Sequence, residues 1–126
     1  MAHILVIDDE QNLREVLQKI LTAEGHTVNT AENGKIGLEL FKQDVYDLII
    51  TDIIMPEQDG YEVISAIRKK SPDPKIIAVT GGSRRMDVND LMPTARCLGA
   101  EKVIAKPINY EALKLVVKEL LESPEA

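Results

Sequence analysis

The chain has one cysteine, Cys97, no tryptophan, and only four aromatic residues, Phe41, Tyr46, Tyr61 and Tyr110. One thiol forms no internal disulfide, and the sequence fits a reducing compartment. Cys97 reads as a small buried apolar residue on a helix. Four aromatics without interleaved basic residues exclude a stacking platform for single-stranded nucleic acid. Basic residues are also few: 15 Lys and Arg stand against 21 Asp and Glu, for a formal charge of −6. That is the wrong sign for neutralising phosphates, so no direct nucleic-acid partner is expected. No stretch reaches membrane-spanning length, and no basic region or cleavage site precedes the first strand, so the expectation is a cytoplasmic chain without membrane contact. There is no Walker phosphate loop, no GxGxxG after the first strand and no nucleophile elbow. His3 and His26 lie outside any metal-ligand spacing and read as structural or exposed.

What is present alternates regularly. At 126 residues the chain suits one domain, residues 1–126, with a core that needs neither metal nor disulfide. His3 to Asp8 reads as a buried strand with four consecutive aliphatics. Leu13, Val16, Leu17, Ile20 and Leu21 follow at helical spacing, and Gly25 stops the helix. Thr27 to Ala31 is a second strand, followed by a helix from about Gly34 to Lys42 with Ile36, Leu40 and Phe41 inward. Tyr46 to Asp52 is a third strand; after the turn from Pro56 to Gly60 comes a helix burying Val63, Ile64 and Ile67. Its last turn holds Arg68, Lys69 and Lys70, read as a solvated helix end where cations suit the dipole. Lys75 to Thr80 is a fourth strand. The next helix starts near Asn89 or Asp90, because Pro93 is tolerated only in a first turn, and it ends at Gly99. Lys102 to Ala105 is a fifth strand. Asn109 then caps a helix with Leu113, Val116, Val117, Leu120 and Leu121 inward and Leu115 outside the stripe. Ser123 to Ala126 reads as a frayed tail.

Five strands alternating with helices indicate an α/β fold, a five-stranded doubly wound parallel sheet of flavodoxin-like order 2-1-3-4-5. In such sheets chemistry gathers at the carboxyl ends of the strands, and here those ends carry Asp8, Asp9, Asp52, Thr80 and Lys106. Three neighbouring carboxylates repel one another unless a cation joins them or a pKa rises. Oxygen donors of this kind suit Mg2+. Lys106 supplies a second positive charge and Thr80 a hydroxyl. A carboxylate nucleophile, a metal, an ammonium and a hydroxyl are the parts of phosphoryl transfer, which depends on positioning and charge neutralisation.

These residues resemble the receiver domain of two-component response regulators over essentially the whole length. The resemblance rests on Asp8 and Asp9 after strand one, Asp52 followed by Met55, Pro56 and Gly60, Thr80 after strand four, and Lys106 with Pro107 after strand five. It implies a stand-alone phosphorylated switch akin to the chemotaxis regulators. Asp52 would accept a phosphoryl group from a phosphohistidine on a sensor histidine kinase or a histidine phosphotransfer protein. Asp9 and Asp52 would bind Mg2+ directly, Asp8 through water, and the Ile54 carbonyl would complete the protein ligands. Lys106 would pair with Asp52 and then with the phosphate, Thr80 would place its hydroxyl on a phosphoryl oxygen, and the Lys106–Pro107 bond would be cis.

Two features depart from the family pattern. Val103 stands where the family has its switch aromatic, three residues before the lysine, and the segment from Thr80 to Lys106 is a few residues longer than is common. The expected exit for the signal is therefore a reordering of Gly81 to Val88 and the helix behind it, toward a downstream protein. Phosphate lifetime would depend on Ile54 and Gly82. A Mg2+-dependent phosphatase is the enzymatic alternative, but its usual second carboxylate is replaced by Ile54; the expectation is a protein that catalyses only its own phosphorylation and dephosphorylation. A phosphorylation-independent scaffold and a receiver cut from a longer DNA-binding regulator are further readings. A monomer is expected, or a weak homodimer through the face of the fourth helix, fifth strand and last helix.

Overall fold

Strands form where aliphatic residues run without interruption, and the computed structural model, which describes residues 2–53, 60–80 and 99–122, contains all five expected strands, with ends of β1 and β3 shifted by one or two residues. They are β1 (His3–Ile7), β2 (Thr27–Ala31), β3 (Leu48–Asp52), β4 (Lys75–Thr80) and β5 (Lys102–Ala105). All pair in parallel in the order β2-β1-β3-β4-β5. Among the described residues four helices accompany them: α1 (Gln11–Ala23), α2 (Gly34–Gln43), α3 (Gly60–Lys70) and α4 (Tyr110–Glu122).

The uninterrupted runs are explained by burial on both faces. Successive side chains of a strand point to opposite sides: Ile4 and Val6 of β1 pack with Leu13, Leu17 and Leu21 of α1 and Leu113, Val117 and Leu120 of α4. Leu5 and Ile7 pack instead with Val63, Ile64 and Ile67 of α3. The central strands β1, β3 and β4 are the most deeply covered, with Leu5, Ile49 and Ile76 fully buried. Each such side chain contributes roughly 1.5–3 kcal/mol. This is the apolar frame that holds the polar strand ends in place.

Some details differ from the sequence expectation. The buried stripe of α1 is Leu13, Leu17 and Leu21, four residues apart, while Val16 on its flank is 36% exposed. β3 starts at Leu48 rather than Tyr46; the Tyr46 hydroxyl accepts from Asn29 Nδ2 at 2.9 Å and its ring lies 4.2 Å from that of His3. In α2 the buried positions are Gly34 and Gly37, with Ile36, Leu40 and Phe41 only partly covered. A Cβ on Gly37 would lie 2.4 Å from Ile7 Cδ1, so helix and strand approach through a missing side chain. Helix ends follow expectation. Gly25, with φ 99°, follows α1, and Asn109 Oδ1 accepts from Ala112 N at 3.0 Å.

The expectation of a solvated end for α3 is corrected at Arg68. Its guanidinium donates to the carbonyls of Gly99 (2.8 Å), Pro72 (3.1 Å) and Pro74 (2.7 Å) and to Glu101 Oε1 (3.0 Å). Glu101 Oε1 in turn accepts the first backbone N–H beyond Lys75, that of Ile76, at 2.7 Å. Arg68 thus ties α3 to the entries of β4 and β5, which a planar fork of donors can do. Lys69 and Lys70 are exposed. His26 and His3 are structural: His26 Nδ1 accepts from Ala2 N at 3.1 Å, and His3 Nδ1 lies 2.9 Å from the Val45 carbonyl. Leu115 is 66% exposed. The expectations for Ile54, Pro56, Cys97, the loop from Gly81 to Val88, the helix containing Pro93 and the tail lie outside the described residues. No helix among the described residues is long and apolar enough to cross a membrane.

Candidate phosphoryl-transfer site

The register of the sheet brings the polar strand ends together. Ile7 pairs with Thr51, so Asp8 and Asp9 leave β1 beside Asp52 at the end of β3. Asp52 pairs with Val79, which puts Thr80 one step farther along β4, and Thr80 pairs with Ala105, the residue before Lys106. The backbone N–H of Lys106 donates to the Thr80 carbonyl at 2.7 Å. The Lys106–Pro107 peptide is cis, as expected.

Asp8, Asp52 and Thr80 are buried and Asp9 is exposed. One carboxylate oxygen from each of Asp8, Asp9 and Asp52 lies within 4.8 Å of the others. Asp8 is further fixed by the Glu10 N–H, which donates to its Oδ1 at 2.8 Å, and by Arg14 Nη1, which donates to its carbonyl at 2.8 Å. The Lys106 ammonium lies 3.0 Å from Asp52 Oδ2 and 3.2 Å from Asp8 Oδ2, and it also bonds Glu10. Glu10 is the site residue that sequence reasoning passed over. Its adjacency to Asp8 and Asp9 was the available signal, but the partner lies 96 positions away.

Electrostatics follow from this crowding. Burial pushes the Asp8 carboxyl above its ordinary value of 3.8, with the Glu10 N–H and the Lys106 ammonium opposing and the Asp9 charge adding to the rise. Burial pulls Lys106 down, but its hydrogen bond to Glu10, the charge and hydrogen bond of Asp52 and the charge of Asp8 outweigh it, and the net shift is upward. Lys106 is held as an ammonium.

The donor set fits a hard divalent cation. All three groups are carboxylates, one is open to solvent, and one oxygen of each lies within 4.8 Å of the others, as oxygen ligands of a hard cation require. A groove of about 460 Å3 adjoins the site, lined by Glu10, Val16, Lys106, Pro107, Ile108 and Tyr110 among others.

Comparison with known proteins agrees with this geometry. A family model described as response regulator receiver domain matches residues 4–118. A probable transcriptional regulator, ycf27, of Cyanidium caldarium is 41% identical over 119 residues, which cover 94% of this chain and 46% of that protein. The chain spans about half the length of the curated relatives it matches. Among solved structures, the response regulator protein TrrA from Thermotoga maritima, in complex with Mg2+ and BeF, is 44% identical with a TM-score of 0.82, covering 96% of this chain and 100% of that one. A two-component response regulator from Clostridium difficile is 25% identical with a TM-score of 0.90, covering both chains fully at 100%.

Proposed function

The chain belongs to the response regulator receiver family, and on that premise we propose that it is a single receiver domain, residues 1–126, switched by phosphorylation of Asp52. The observation that carries the reading is the Lys106 ammonium set between Asp52 at 3.0 Å and Asp8 at 3.2 Å, with Asp9 beside them. A carboxylate at that place is a nucleophile with its charge partner already aligned.

The steps follow from the chain's own groups. A carboxylate oxygen of Asp52 attacks phosphorus in line; the bond to the donor breaks, and its electron pair leaves with the donor nitrogen or oxygen. Lys106 neutralises a phosphoryl oxygen that gains charge, and the Thr80 hydroxyl donates to another. Asp9 and Asp52 would hold Mg2+ directly and Asp8 through water, with the carbonyl of Ile54, outside the described residues, as a further ligand. When bound, Mg2+ supplies neutralisation of the phosphoryl oxygens. Burial of Asp8 and Asp52 in a low-dielectric pocket strengthens each of these interactions.

Receiver domains are signalling proteins, and this one acts as a switch that turns over only its own phosphate. The donor is a phosphohistidine on a sensor histidine kinase or histidine phosphotransfer protein, approaching along the groove beside Val16 and Pro107. The place of action is the cytoplasm, and the output is a downstream protein engaged by the phosphorylated form. A second reading is favoured by the relatives, about half of whose length this chain spans: it is the receiver of a longer regulator whose remaining half binds DNA. The mass of the native protein in cell extract separates the two.

The reading is tested by intact mass after incubation with Mg2+ and acetyl phosphate. A gain of one phosphoryl group that requires Mg2+ and is lost in Asp52→Ala is expected. No adduct on wild type that demonstrably binds Mg2+ refutes phosphorylation and favours a scaffold; rapid consumption of donor without an adduct favours a phosphatase.

A further inference from the structure

Glu10 occupies the N-cap position of α1 with extended backbone, φ −89° and ψ 114°, yet its side chain makes no capping hydrogen bond. Ser, Thr, Asp or Asn at that position would accept from the first helical N–H groups and stabilise the helix. The Glu10 carboxylate goes elsewhere, to the ammonium of Lys106. Its backbone is meanwhile pinned, since its N–H donates to Asp8 Oδ1 at 2.8 Å and its carbonyl accepts from Arg14 N at 3.1 Å. The carboxylate therefore reaches Lys106 from a fixed point on the rim.

A lysine ammonium has three N–H donors, and Lys106 has one carboxylate for each. Two of these, Asp8 and Asp52, have side chains only 3% and 4% exposed, whereas that of Glu10 is 59% exposed and that of Lys106 16%. The ammonium thus hangs between a buried pair and an open one. Without Glu10 both remaining attractions point inward, to Oδ2 of Asp8 and Oδ2 of Asp52.

We propose that Glu10 is a positioning residue for phosphoryl transfer: its carboxylate holds the Lys106 ammonium at the mouth of the site, where the oxygens of the incoming phosphoryl group arrive. The proposal rests on the receiver reading above. The transfer itself is unchanged: a bond forms from an Asp52 oxygen to phosphorus as the bond from phosphorus to the acyl oxygen of acetyl phosphate breaks, and the electron pair leaves on acetate.

Charge and tether act in opposite directions, which makes the test decisive. Removing an exposed negative charge near the site favours approach of an anionic donor, whereas loss of the tether slows transfer. The experiment measures the second-order phosphorylation rate with acetyl phosphate at saturating Mg2+ for wild type, Glu10→Gln, Lys106→Met and the double variant. The Lys106 ammonium resonance is recorded by NMR in the metal-free wild type and Glu10→Gln. Glu10→Gln preserves side-chain length and the backbone hydrogen bonds, so the fold is retained. The expected result is a loss of about two- to five-fold, the scale of one partly exposed ion pair, with no further loss when Lys106 is already replaced by Met, and a shifted ammonium resonance. A faster or unchanged Glu10→Gln protein, or an equal loss in both backgrounds, overturns the proposal. Should Lys106→Met be too slow to measure, the ammonium resonance decides: unshifted, it overturns the tether. Wild type that takes up no phosphoryl group refutes the receiver reading itself, and the role of Glu10 with it.

Discussion

Replacing Gly37 by alanine should destabilise the protein although alanine is the better helix former. Gly37 lies inside α2 and faces β1, where an added Cβ meets Ile7 Cδ1 at 2.4 Å and Cγ1 at 2.7 Å. Carbon atoms in contact prefer about 3.5–4.0 Å, so the helix or the isoleucine must move by roughly an ångström. Ile7 is fully buried and stiff at its branched carbon, so it has little room to yield. Overpacking of this kind costs about 1–3 kcal/mol. Two simultaneous overlaps against a closed wall place Gly37→Ala near the upper end, about 3 kcal/mol. The gain in helix propensity returns about 1 kcal/mol. The net loss is about 2 kcal/mol, or about 6–10 °C in Tm for a domain of this size. Urea unfolding of wild type, Gly37→Ala, Ile7→Val and the double variant measures it. Ile7→Val removes the nearest overlapping atom, so its own cost of about 0.5–1.5 kcal/mol should shrink or reverse in the Gly37→Ala background. Gly37→Ala at least as stable as wild type, or strict additivity in the cycle, refutes the close-approach argument. Asp8 follows Ile7 directly, so a displaced β1 should also weaken Mg2+ binding.

Arg68→Lys should cost about 2 kcal/mol of stability, because one ammonium cannot serve Gly99, Pro72, Pro74 and Glu101 at once; a loss below about 0.5 kcal/mol in chemical unfolding would contradict the staple. For Asp8 the folded pKa is raised above 3.8, so the folded state binds this proton more tightly than the unfolded chain. Ionisation of Asp8 therefore costs stability at neutral pH, and the cost is relieved as pH falls through the raised value toward 3.8. Measured without Mg2+, wild type should gain stability relative to Asp8→Asn across that window as the pH is lowered; a constant difference would argue against the shift.

The fold was legible because its signals are local. Four consecutive aliphatics in β1 imply helices on both faces, and each strand ends in, or is followed by, a charged residue or Gly, so all five strands and their order could be read without coordinates. The polar ends were legible for the same reason: Asp8, Asp9, Asp52, Thr80 and Lys106 each follow a strand, and parallel pairing carries strand ends to one edge. Asn109 and Gly25 announced their helix ends by residue type. Residue order alone thus sets the alternation of elements and the groups delivered to the carboxyl edge of the sheet.

How those groups are shared is a matter of contacts between elements. Whether Lys106 bonds one carboxylate or three depends on the side from which Glu10 arrives, and no periodicity links positions 10 and 106. Arg68 looked like one cation among three at a helix end; only the convergence of the Pro72–Pro74 turn, Gly99 and Glu101 on its guanidinium makes it a staple. Gly37 carries no side-chain signal, and its meaning exists only where α2 crosses Ile7. Val16 satisfies the helical period, yet its place on the flank of α1, beside the groove next to Lys106, leaves it partly exposed. Periodicity encodes which face of an element is apolar, whereas the distances that govern charge sharing and close approach arise from contacts between elements far apart in the chain.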